Sequence, residues 1–199
     1  MSVAVVLMAS GSPNRIEDVP AYYADIRGGR PIKPELLEDL VARYKRLGIE
    51  ESNPLNEITE ATRAALEAEL GLPVFTGMRH WTPRIAEAVE RALATGADAI
   101  VGLVLAPHYS SMSIERYRAQ LVEALDDRAE LHFVERWGDE PGFVADHLEI
   151  RWDLDVEAAE KAQELGLRLD RIELPNADPA FVRVLAGLVR RAPAVPSQA

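Results

Sequence analysis

Apolar residues along this chain fall into two alternating patterns. Short apolar runs of strand length occur at Val3–Met8, Val74–Met78, Ala99–Ala106 and Leu131–Val134. Between them, apolar positions recur at three- and four-residue steps over Pro34–Leu47, Glu57–Leu70, Pro83–Ala94 and Ile114–Leu125, which predicts helices. Strands that alternate with helices of this length predict a parallel sheet covered on both faces. Residues 1–138 therefore read as an α/β domain with a four-stranded, flavodoxin-like (Rossmann-like) sheet flanked by helices. In such sheets ligands collect at the carboxyl ends of the strands. Here those ends carry Ser10-Gly11-Ser12-Pro13, Gly77-Met78-Arg79-His80 and Pro107-His108-Tyr109-Ser110.

The pattern changes after residue 138. A polar amphipathic helix is predicted near Asp146–Leu165, then a short extended piece at Arg168–Leu174, then a last helix. That helix has Asp178 as N-cap and Pro179 at its first position, with Phe181, Val184, Leu185 and Leu188 at core spacing. The tail "APAVPSQA" reads as frayed. Gly142–Val144 is a strand-like trio with no second set of βα units behind it, although a parallel strand needs a neighbour reached by a crossover of about a dozen residues. Residues 139–199 thus read as the closing part of a second domain whose middle is absent.

Composition narrows the function classes. With 199 residues and 48% hydrophobic content, the chain can bury a core of ordinary size. It has no Cys, which excludes thiolate metal sites, disulfides and Cys nucleophiles. A net charge of −11, from 33 acidic against 22 basic residues, argues against a nucleic-acid partner. The opening "MSVAVVLMASGSP" is too short to span a bilayer and lacks a basic leader, so it reads as a first strand and the chain as cytoplasmic. No amphipathic membrane anchor is evident.

Three clusters carry candidate chemistry. In "DHLEIRWDLDVEAAE", Asp146, Glu149, Asp153, Glu157 and Glu160 recur at steps of three and four with His147 at one end, so a helix would align them in one stripe. Stacked carboxylates repel unless a cation offsets them, and hard cations such as Mg²⁺ prefer oxygen donors. A solvated acidic face is the alternative. The second cluster is basic: Arg27, Arg30, Lys33, Arg43, Lys45 and Arg46, interleaved with Tyr22, Tyr23 and Tyr44. Arginine forks match carboxylates and rings match a planar apolar body, although these bases also balance Glu35, Glu38 and Asp39 on an amphipathic helix. His80 and His108 follow predicted strands at the carboxyl edge, whereas His132 lies within a strand pattern and reads as structural. No phosphate-loop, dinucleotide or nucleophile-elbow motif occurs.

The motifs "VVLMASGSP", "YYADIRGGRP", "LVARYKRLG", "NPLNEIT", "GMRHWTP" and "LVLAPHYSSMSIERY" stand in one order, followed by "GFVADHLEIRWDLDVEA" and "PNADPAFVRVLAGLV". In these the chain resembles the ferrochelatases, most closely the bacterial coproporphyrin III type. The resemblance implies a two-domain chelatase fold that inserts Fe²⁺ into a porphyrin, coproporphyrin III or protoporphyrin IX, in haem biosynthesis. Two pyrrole protons are released and no organic cofactor takes part. It also implies that Arg27, Arg43, Tyr44, Asn53 and Tyr117 contact the porphyrin. Glu149 would be the catalytic acid-base residue facing the metal, Asp153 and Glu157 a line leading metal inward, and His80 a catalytic-cleft histidine.

Two departures stand out. Ser10 takes the place where bacterial members usually carry a first-loop Tyr, and with it that residue's place against the porphyrin. The family's catalytic His lies in a Ser-Ala-His-Ser-Leu-Pro-like loop at the start of the second domain, a context that none of His80, His108, His132 and His147 has. A Gly-Phe-Val shared by the two halves sits at residues 142–144, as an internal deletion between two similar stretches would leave it. The resemblance therefore also admits a non-catalytic tetrapyrrole-binding protein. A further alternative is a small homodimeric enzyme similar to sirohydrochlorin cobaltochelatases, with the missing half supplied in trans.

Overall fold

The computed structural model describes residues 2–49, 53–106, 109–137 and 151–195. These group into two compact units. The first comprises residues 1–11, 59–143 and 177–199, and the second residues 12–58 and 144–176. This is a grouping in space, and it does not follow the linear division at residue 138. The C-terminal residues 177–199 belong to the same unit as the sheet, and residues 12–58 do not.

The first unit is built on four parallel strands: β1 (Val3–Ala9), β2 (Val74–Met78), β3 (Ala99–Val104) and β4 (Glu130–Val134), in the order β2-β1-β3-β4. The predicted α/β class and sheet are thus present. β1 is buried throughout because it lies inside the sheet with both faces covered. Its alternate residues sort the core in two: Val3, Val5 and Leu7 join one cluster, and Ala4, Val6 and Met8 the other.

The first cluster is closed by Leu66 and Leu70 of α3 (Pro54–Leu70) and by Phe181, Val182, Leu185, Leu188 and Val189 of the last helix, α7 (Pro179–Arg190). Trp137 joins them, its indole donating to the Val104 carbonyl at 2.9 Å. The second cluster is closed by Ile85, Ala88, Val89 and Ala92 of α4 (Ile85–Leu93) and by Ile114, Tyr117, Leu121 and Leu125 of α5 (Ile114–Leu125). Gly102 of β3 lets α5 approach, since a Cβ there would stand 2.5 Å from Leu121 Cδ2.

Most boundaries follow sequence logic. The α7 N-cap is Asp178, whose carboxylate accepts the Ala180 N–H at 2.7 Å, with Pro179 in the first turn. α4 begins at Ile85 rather than Pro83, because the Pro83 carbonyl is spent on the Met78 N–H at 2.7 Å, at the end of β2.

The second unit is mostly helical. A 3₁₀ turn (Ile16–Asp18) leads into α1 (Val19–Ile26), followed by α2 (Pro34–Arg46). α1 is absent from the sequence pattern because only Val19 on it is buried. In α2, Pro34 opens the helix, Glu35 sits in its first turn, and Arg43, Lys45 and Arg46 fill its last. Its Leu37, Leu40, Val41 and Tyr44 line one face around a small core with Val19 and Ile49.

Over the described residues of the predicted acidic helix stand a π-helical segment (Arg151–Ala158) and then α6 (Ala159–Glu164). After Gly166, with φ of +66°, residues 167–175 form no helix and join no strand of the sheet. The extended piece expected at Arg168–Leu174 therefore has no sheet partner among the described residues.

Candidate functional site

In the first unit the carboxyl edge of the sheet gathers three of the expected residues. The Ser10 carbonyl accepts the His80 backbone N–H at 2.9 Å, and the Ser10 side chain is hydrogen-bonded to the Tyr117 phenol. The first loop can pass this closely because Gly11, at φ +77°, has no side chain; a Cβ there would lie 2.8 Å from Trp81 Cβ. Tyr117 is 5% exposed. Burial pushes its phenol up to about 12, against the opposing pull of the Arg79 cation and the Ser10 hydrogen bond.

The Arg79 guanidinium stands 5.4 Å from the Tyr117 ring centroid and donates to the Met112 carbonyl at 3.3 Å. Arg79 was not singled out in the sequence, although it directly precedes His80 in the strand-end motif. His132 lies on β4, as expected, with Nε2 3.1 Å from a Glu130 carboxylate oxygen. His108 falls outside the described residues.

In the second unit Tyr44 and Asn53 are buried, at 1% and 3% exposure. Their polar atoms hold the first loop. The Ser12 hydroxyl lies 2.9 Å from the Tyr44 hydroxyl and accepts from Asn53 Nδ2 at 2.8 Å. Asn53 also donates to the Pro13 carbonyl at 3.2 Å, and its Oδ1 accepts the Leu55 N–H at 3.0 Å, capping α3. Asn56 completes the network, donating to the Ser12 carbonyl at 2.7 Å while its Oδ1 accepts the Ser12 N–H at 3.2 Å. Two residues expected against a porphyrin thus shape the loop that carries Ser12. Neither Ser12 nor Asn56 stands out in the sequence, because a capping network has no fixed spacing.

Part of the basic cluster gathers at Trp152. Arg43 donates to Asp39 at 3.0 Å and stands 4.8 Å from the Trp152 ring centroid. Arg46 stands 5.4 Å from the same ring and is paired with Glu160. The Trp152 indole donates to Glu157 at 2.6 Å, a contact between residues five apart, as the wide π-helical turn stacks them. Tyr23, Leu36, Asp39, Leu40, Arg43, Trp152 and Asp153 line a hollow of about 270 Å³. Arg27 stands 5.8 Å from the Tyr23 ring centroid, with its Nε buried and without a hydrogen-bond partner.

Of the acidic stripe, Asp146, His147 and Glu149 lie outside the described residues. Among the described residues no three His, Cys, Asp or Glu side chains are grouped to hold a metal ion. No helix among the described residues is long and apolar enough to cross a membrane.

Comparison with known proteins gives the architecture a relationship. A family model described as Ferrochelatase matches residues 2–143 and again residues 140–192. A ferrochelatase of Herpetosiphon aurantiacus is 29% identical over 299 aligned positions, covering 94% of this chain and 97% of that protein. This alignment is longer than the 199-residue chain, so a stretch of the relative stands opposite no residue here. A ferrochelatase of Thermus thermophilus is 32% identical, covering 96% of this chain and 69% of its own length. A coproporphyrin III ferrochelatase of Oceanobacillus iheyensis is 37% identical over 150 residues, covering 71% of this chain and 47% of that protein. Matched along nearly its whole length, with the parallel sheet in place, the chain belongs to the ferrochelatase family.

Proposed function

We propose that the chain acts on a porphyrin, inserting ferrous iron into coproporphyrin III or protoporphyrin IX in the cytoplasm. The observation that carries this reading is the family match over residues 2–143 and 140–192. The chemistry of the side chains supports it. Arg27 and Arg43 offer forks suited to propionate groups, set beside Tyr23 and Trp152. On this reading Glu149 takes up pyrrole protons as iron enters, while Asp153 and Glu157 draw a divalent ion toward the ring. Iron is substrate here and no organic cofactor is required.

The same reading treats residues 139–199 as the closing part of a second chelatase-like domain that has lost its middle near residues 142–144. The two matched stretches overlap at residues 140–143, which supports this origin. A second reading, tetrapyrrole binding without turnover, is favoured by one observation: none of the four histidines stands in the family's Ser-Ala-His-Ser-Leu-Pro context. Anaerobic addition of Fe²⁺ to protein and coproporphyrin III, followed in the Soret and visible bands, separates the two. Metalation above the protein-free rate supports the chelatase. A binding shift without metalation supports the carrier, and an unchanged spectrum contradicts both.

A further inference from the structure

We propose that Trp152 is a positioning residue for the substrate: its indole ring holds the Arg43 guanidinium so that the outer edge of that guanidinium grips a carboxylate of the porphyrin. This assignment rests on the porphyrin reading and deepens it, adding a residue that no sequence pattern marks. Trp152 and both arginines it meets lie within the second unit. The Arg43 guanidinium carbon stands 4.8 Å from the Trp152 ring centroid, and Arg43 Nε donates to Asp39 at 3.0 Å. The ring therefore takes one face of the guanidinium, and Asp39 takes Nε. No described residue accepts a hydrogen bond from either Nη, and these two groups form the fork that matches a carboxylate.

Arg46 provides the contrast. Its guanidinium stands 5.4 Å from the same centroid, but it is paired with Glu160. That pair ties the segment bearing Trp152 to α2, while the indole N–H, donated to Glu157 at 2.6 Å, fixes the rotation of the ring. The ring is thus anchored on two sides before it meets Arg43. An arginine surrenders side-chain entropy when it binds an anion, and one already held against an aromatic face has less left to lose. Its aim matters because Asp39 and Asp153 also line the hollow beside it, with Tyr23, Leu36 and Leu40 as the apolar wall. Arg43 is the only cation among the described residues lining that hollow. A carboxylate is accepted beside two like charges only where the guanidinium points at it, and Trp152 holds it there.

Titration of the full chain with coproporphyrin III, followed in the Soret band, tests this. Trp152→Leu removes the ring contact and should raise the Kd about tenfold, whereas Trp152→Phe keeps an aromatic face and should stay within about threefold of wild type. The decisive arm is the coupling with Arg43. Arg43→Gln should weaken binding about tenfold by itself, and adding Trp152→Leu to it should cost no more than about a further twofold, because the ring acts through the guanidinium. A Trp152 that served only folding would lower affinity equally with or without Arg43. Trp152→Leu binding as tightly as wild type, Trp152→Phe as weak as Trp152→Leu, or single losses that multiply in the double variant would overturn the proposal while leaving the porphyrin reading intact. No Soret shift in wild type would overturn both.

Discussion

Tyr117 shows how one phenol can report on its surroundings. In the folded state burial pushes its pKa up to about 12, against an ordinary value of 10.0. Between these values the unfolded chain loses the phenol proton while the folded chain keeps it. Stability is therefore complete below about pH 10 and falls with a slope approaching about 1.4 kcal/mol per pH unit as pH rises toward 12. Urea melts between pH 9 and pH 12 should show this loss in wild type and a shallower one in Tyr117→Phe. Equal slopes would mean that the phenol is not held as described.

Asn53 makes the opposite kind of contribution, through hydrogen bonds rather than titration. Asn53→Ala removes the α3 cap and both donations to the Ser12–Pro13 loop, and should cost about 1–3 kcal/mol in urea denaturation. Asn53→Asp keeps the cap acceptor and should recover part of that loss. At this scale the sequence was only partly legible. The contacts visible for Tyr44 and Asn53 hold the Ser12–Pro13 loop. Nothing in their spacing distinguishes a buried cap from a ligand contact.

At the level of elements, period and length were informative because burial enforces them. β1 alternates between two cores, and α5 occupies the residues its spacing predicts, Ile114–Leu125. α1 was illegible because it buries one residue, and the π-helical turn because hydrophobic spacing does not reveal an i→i+5 hydrogen bond. Elements pack closely at Gly102, where an added Cβ would also lie 2.9 Å from Phe133 Cδ2. Gly102→Ala should cost about 1–3 kcal/mol by overpacking α5 against β3. Calorimetry showing no fall in melting temperature would mean that the helix can retreat without loss.

For the whole molecule, the sheet unit draws on both ends of the sequence. α7 contributes six buried residues from a region that sequence order assigns to a second domain. Covering one face of a parallel sheet takes more apolar surface than α3 supplies, and α7 provides it wherever it lies in the chain. Fold class could therefore be read from local pattern, whereas the spatial grouping depended on which distant helix completes the core. Chemistry was legible mainly through motif order, since neither the basic cluster nor the acidic stripe names a substrate by spacing alone.

The central claim, that this chain inserts ferrous iron into a porphyrin with Glu149 as proton acceptor, is tested most directly by one paired measurement. Wild type and Glu149→Gln are supplied anaerobically with coproporphyrin III and Fe²⁺, and the conversion of free porphyrin to its iron complex is timed by visible absorption. The account predicts that wild type exceeds the protein-free rate and that Glu149→Gln falls to that rate while still shifting the Soret band on binding. Equal rates for the two proteins, or no rate above background in wild type, would contradict it.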